Sequence, residues 1–169
     1  MKDTELKLIS ELVRNCRRSD RELAKAIGTS QPTVSRMINK LEKQGIIQHY
    51  AMMPDLRKLG FEILALTFTA YTPEALRIPE KERIDKRNRF FSKHPNILFG
   101  SFGRGLGMDR MILTVHRNYT DYSEFMKQFE SEYAGLFAKI EPFTISLKTD
   151  TALTVFSLKN LADYIRETR

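Results

Sequence analysis

The stretch from Ser30 to Gly45, Ser-Gln-Pro-Thr-Val-Ser-Arg-Met-Ile-Asn-Lys-Leu-Glu-Lys-Gln-Gly, constrains the chain more than any other. Ser30 can cap a helix, Pro32 is tolerated in a first turn, and Gly45 can end it in a left-handed conformation. Val34, Met37, Ile38 and Leu41 recur at spacings of three and four and fall on one apolar stripe. The other face carries Gln31, Thr33, Ser35, Arg36, Asn39, Lys40 and Lys43. Taken alone, that face suits either water or an anionic polymer. A helix of about fourteen residues is about 21 Å long, enough to cross a DNA major groove of about 12 Å.

What precedes this stretch favours the polymer. Thr4 to Asn15 places Leu6, Leu8, Ile9, Leu12 and Val13 on a helical stripe. Ser19-Asp-Arg-Glu22 has the spacing of a capping box, and the helix it opens presents Leu23, Ala24 and Ile27 before stopping at Gly28. Two capped helices joined by a short glycine turn, behind a support helix, read as a helix-turn-helix. A plain three-helix bundle has no reason to load one helix face with Arg36, Asn39 and Lys40. After Gly45, Ile46 to Met53 reads as the strand of a short wing and Pro54 to Gly60 as a hinge.

Charge points the same way. The net charge is +7, and residues 1–60 hold 12 Lys plus Arg against 7 Asp plus Glu, so most of the excess surrounds this region. Double-stranded DNA is the expected partner, with phosphate contacts from Arg17, Arg18 or Lys43. No apolar run approaches a membrane span, the charged N-terminus resembles no signal or transit peptide, and a cytoplasmic protein with no membrane partner is expected. The single Cys16 and the scattered His49, His94 and His116 give no metal site, and no catalytic constellation or cofactor motif stands out.

The segments Arg21-Glu-Leu-Ala, Gly28-Thr-Ser, Val34-Ser-Arg-Met-Ile-Asn-Lys-Leu-Glu-Lys-Gln-Gly-Ile-Ile and Asp55-Leu-Arg-Lys-Leu-Gly-Phe61 resemble the leucine-responsive/asparagine-synthesis regulator (Lrp/AsnC) family. The resemblance covers residues 3–61. It implies a winged helix-turn-helix that binds DNA, hinged to a ferredoxin-like domain that dimerises and often binds amino acids. By that resemblance Ser30, Gln31, Thr33, Ser35, Arg36, Asn39, Lys40 and Lys43 form the DNA-contacting set.

Beyond residue 60 a strand is expected over Phe61 to Thr72, a loop over 73–79 and a helix over Glu80 to His94. Two strands, Ile97 to Phe102 and Met111 to His116, flank a glycine-rich loop, Gly103 to Arg110. A helix over Tyr119 to Phe137, a strand over Ile140 to Phe156 and a capped helix over Ser157 to Ile165 follow. The order β-α-β-β-α-β is ferredoxin-like, an α+β class in which both helices cover one sheet face. Two domains are therefore expected, residues 1–60 and 61–169, with a homodimer or larger oligomer covering the other sheet face. The aromatic stripe of Tyr122, Phe125, Met126, Phe129 and Tyr133 suits core packing better than a ligand box.

The loop Gly103-Arg-Gly-Leu-Gly lacks the Lys-Ser/Thr ending of a phosphate loop and joins strand to strand. The family resemblance implies a Gly-x-x-Asp motif here, lining a small-molecule effector pocket. Asp109 takes the acidic position, but Leu106 stands three residues before it, with Gly105 and Gly107 on either side. An effector site at Gly105, Gly107 and Asp109 and a plain turn remain equal readings. Arg104 and Arg110 would favour a ligand with an anionic group. An architectural DNA protein with little sequence choice is the alternative to a specific regulator. A metabolite-binding or enzymatic domain with an accessory helix-turn-helix is a further rival.

Overall fold

The computed structural model describes residues 1–149 and 158–167. The chain forms two compact units, Met1–Pro54 with Leu153–Arg169, and Asp55–Ala152.

In the first unit, helices α1 (Asp3–Arg14), α2 (Asp20–Ile27) and α3 (Gln31–Lys43) follow the expected order. Their apolar stripes meet in a core of Leu8, Leu12, Leu23, Ala24, Val34 and Leu41, with Met37 and Ile38 packed against it. The capping box forms as read: Ser19 N–H donates to Glu22 Oε2 at 2.7 Å and Glu22 N–H to Ser19 Oγ at 3.3 Å. These bonds hold the Glu22 carboxyl below its usual range. Gly28, at φ 71°, ends α2 and lets the chain turn directly into α3. Gly45, at φ 68°, follows the last turn of α3 as expected.

Three expectations differ in this unit. Ser30 precedes α3 but makes no side-chain cap; its hydroxyl pairs instead with Thr33 Oγ1 at 2.8 Å. Residues 46–60 contain no strand. A wing strand needs a neighbouring strand to bond to, whereas Tyr50 turns back to donate from its hydroxyl to Glu42 Oε1 of α3 at 2.9 Å. The C-terminal helix α7 (Lys159–Glu167), expected with residues 61–169, packs on α1. Ser10 Oγ donates to the Ala162 carbonyl at 2.7 Å in a buried contact, and Arg14 pairs with Asp163. Ala162 is small enough to let the two helices approach.

The second unit holds strands β1 (Ile63–Tyr71), β2 (Ile97–Gly105), β3 (Met108–His116) and β4 (Phe137–Ser146), and helices α4 (Pro73–Leu76), α5 (Glu80–Lys93) and α6 (Tyr119–Glu132). The sheet order is β2-β3-β1-β4, with every pair antiparallel, as the ferredoxin-like order requires. Residues 150–156 of the expected last strand, and Ser157, lie outside the described residues. Phe90 of α5 and Tyr122, Phe125, Met126, Phe129 and Tyr133 of α6 form an aromatic core over Ala65 and Ile112, so the stripe on α6 is packing. Gly100 lets that core close: a Cβ there would stand 2.9 Å from the Phe91 ring.

The glycine loop is much shorter than expected. The strands run on to a two-residue turn at Leu106 and Gly107, both with positive φ (55° and 69°), the pattern of a tight hairpin turn matched to strand twist. The residues at 103–105 and 108–110 belong to the ladder.

Candidate nucleic-acid interface

Helix α3 buries Val34 and Leu41 and turns its polar face outward. Gln31, Arg36, Asn39 and Lys43 are exposed, and Thr33 and Ser35 are half-buried. Arg36 Nε donates to the Pro32 carbonyl at 3.2 Å, which leans the side chain along the helix, and it forms no ion pair among the described residues. Arg17 and Lys43 likewise make none. A cation left without a carboxylate on an exposed helix face can bond to phosphate or to a guanine edge without first breaking a bridge.

Two of the expected contact residues are already engaged. Lys40 Nζ lies 2.6 Å from Glu5 Oε1 of α1, whose side chain is only 7% exposed. The lysine bond, joined by the Lys2 N–H donating to the same carboxylate, holds Glu5 below the usual carboxylate range. Lys40 therefore ties α3 to α1 while half its length remains in water. Arg18 pairs with Glu11, which also lies 3.8 Å from Arg166 of α7. The sequence suggested Lys40 as part of the DNA-contacting face and Arg18 as a phosphate contact, both unengaged. The signal lay on α1, where Glu5 shares the buried stripe of Leu8 and Leu12: a carboxylate there needs a cation from the helix packed against it.

In the second unit, Gly105 ends β2, Gly107 is the second residue of the hairpin turn, and Asp109 lies at the start of β3. Asp109 Oδ2 accepts from the Tyr71 N–H at 2.9 Å, bracing the end of β1. The next residue, Arg110, points to the helix-covered face and is buried.

The outward polar face of α3, preceded by two capped helices, defines a helix-turn-helix protein built to meet DNA. A family model described as winged helix-turn-helix DNA-binding matches residues 1–48. An uncharacterised HTH-type transcriptional regulator of Pyrococcus furiosus is 30% identical over 74% of this chain and 78% of its own length. The HTH-type transcriptional regulator LrpC of Bacillus subtilis is 39% identical over 35% of this chain and 41% of its own. Among solved structures, the fold is similar to an AsnC family transcriptional regulator from Agrobacterium tumefaciens (TM-score 0.74, 17% identity, covering 95% of this chain and 99% of that one). It is equally similar to a transcriptional regulator–L-Met complex from Neisseria meningitidis (TM-score 0.74, 19% identity, 95% and 99% covered). The chain belongs to the Lrp/AsnC family of DNA-binding transcriptional regulators. Its relatives are regulators, and among the described residues no helix is long and apolar enough to cross a membrane.

Proposed function

We propose that the chain acts in the cytoplasm as a homodimeric, sequence-specific regulator with no catalytic step, reading double-stranded DNA with Gln31, Thr33, Ser35, Arg36 and Asn39. Ser30 ends the approach to this face, Lys43 and Arg17 contact phosphate, and Lys40 acts first as the clamp to Glu5. The observation that carries this reading is Arg36, exposed at the middle of the outward face of α3 and without a carboxylate partner among the described residues. Arg36→Ala is expected to weaken operator binding by about 1 to 3 kcal/mol without lowering thermal stability. Unchanged affinity in a gel-shift titration would overturn the assignment.

The dimer rests on the second sheet face. Strand alternation puts Leu66, Phe68, Leu113 and Phe143 on the side away from the helices, and Phe143 is 63% exposed. An apolar sheet face of this kind needs a cover, and a second copy supplies one together with a second recognition helix. Phe143→Asp is expected to shift the protein to monomer in light scattering; an unchanged mass would contradict this face as the contact. A small-molecule effector in the second unit completes the proposal. It is supported by the L-Met held by the Neisseria relative and by the hairpin at Gly105, Gly107 and Asp109.

A further inference from the structure

Four buried side-chain polar atoms among the described residues have no hydrogen-bond partner: Thr69 Oγ1, Arg83 Nε, His116 Nδ1 and Tyr133 OH. Two of them lie beside Arg110, and a third, on Arg83, shares the Tyr71 ring with it. Thr69 faces Arg110 across the β1–β3 ladder. The Tyr133 ring lies 6.0 Å from the Arg110 guanidinium. Arg83 stacks on Tyr71 at 5.2 Å, and the Tyr71 hydroxyl accepts a 2.8 Å bond from Arg110. Arg110 itself is only 7% exposed and forms no ion pair among the described residues. Its charge is met by rings instead, with Phe102 and Phe137 at 5.5 and 5.3 Å.

Native interiors leave few polar atoms unpaired, and a buried cation without a counter-charge is costlier still. One uncompensated guanidinium and three orphaned groups at the same end of the sheet share one remedy, an anion. The donors available are two guanidinium groups and two hydroxyls, which match carboxylate or phosphate oxygens. Burial pushes the Tyr133 hydroxyl up to about 12 against the pull of Arg110, so it stays protonated and able to donate at neutral pH. The aromatic walls suit an organic body rather than a bare inorganic ion. The two carboxylates beside this end are both engaged and not free to meet an ammonium group: Glu132 is paired with Lys86 at 3.4 Å, and Asp109 accepts from Tyr71 N–H at the neighbouring position on β3.

We propose that the Arg110 end of the sheet binds a small organic carboxylate without an α-amino group, held by Arg110, Arg83, Thr69 and Tyr133. The carboxylate sits on the helix-covered face, where Phe102, 53% exposed, is the wall open to water. This rests on the reading that the second unit holds an effector, and it moves the site from the glycine turn to the arginine beside it.

The test is calorimetric titration of the full-length protein with butanoate and 3-phenylpropanoate, each beside its 2-amino counterpart, and with inorganic phosphate. Tyrosine fluorescence provides a second readout, since the chain has no tryptophan. At least one simple carboxylate is expected to bind tenfold or more tighter than its amino acid, and Arg83→Gln and Tyr133→Phe to weaken it several-fold. Arg110→Lys should abolish binding; should that variant fail to fold, the half-exposed Arg83 still decides the matter. No carboxylate binding, equal binding of the amino acid, preference for phosphate, or full affinity in Arg83→Gln each overturns the proposal. Carboxylate binding that leaves DNA affinity unchanged supports the site and overturns the effector reading alone.

Discussion

Among the described residues neither Arg36 nor Arg110 is paired with a carboxylate, and their surroundings give that fact opposite meanings. Arg36 stands in water on α3, where an unpaired guanidinium is cheap and open to a large polyanion. Arg110 is enclosed by Tyr71, Phe102, Tyr133 and Phe137, where the same group is expensive and only a small partner fits. Burial, not residue type, decides which anion an arginine awaits. Lys40 is an intermediate case: it is half-exposed, and its Glu5 partner comes from the chain itself.

The scaffolds behind the two arginines differ as well. Arg110 rests on an aromatic core in which Phe129 stacks on Phe125 and Phe137, whereas α3 rests on a small aliphatic core. Phe129→Ala is expected to destabilise the second unit by about 3 to 5 kcal/mol in denaturant unfolding. Loss of the Arg110 site should accompany it. A change below about 1 kcal/mol would mean the aromatic stack does not hold that end of the sheet.

Lys40→Gln separates clamp from contact. If Lys40 mainly ties α3 to α1, the variant loses thermal stability while operator affinity falls by less than about fivefold, the lower end of the Arg36→Ala effect. A larger affinity loss at unchanged melting temperature would return Lys40 to the DNA contacts.

The smallest effect expected is that of pH. His116 and His94, both in the second unit, have their pKa values lowered, chiefly by burial. Above about 6.5 both imidazoles are neutral folded or unfolded, and stability is full. Below it the unfolded chain takes up protons first, so stability falls until the lowered folded values are reached. In the first unit Glu5 and Glu22 are lowered carboxylates, and their contribution fades only below about 4.5. Amide exchange between pH 7 and 5 should therefore loosen the sheet before the helices; the reverse order would contradict the burial argument.

Much of this was legible in the chain. Capping residues, glycine stops and apolar stripes are local signals, and they placed α1, α2, α3 and the ferredoxin-like order nearly as found. What escaped the sequence depends on partners far away in it. The Lys40–Glu5 clamp spans 35 residues, and the bond from Ser10 to Ala162 spans 152. No periodicity records that pairing. Arg110 was read as added charge near a glycine loop, because only the register with Thr69 and the packing of α6 reveal that it points inward. The hairpin was read as a long loop because three glycines outweighed the strand alternation on either side, although only the turn at Leu106 and Gly107 leaves the ladder.

Whether the outward face of α3 reads sequence is settled by its preference among DNAs. Fragments of the host genome selected by the full-length protein should define an operator. The wild type and Arg36→Ala are then titrated on that operator and on random DNA at one salt concentration. The wild type should prefer the operator by about a thousandfold or more, and Arg36→Ala should lose affinity for the operator while its binding to random DNA changes little. Equal affinity of the wild type for both DNAs would contradict the account and leave an architectural DNA-binding protein in its place.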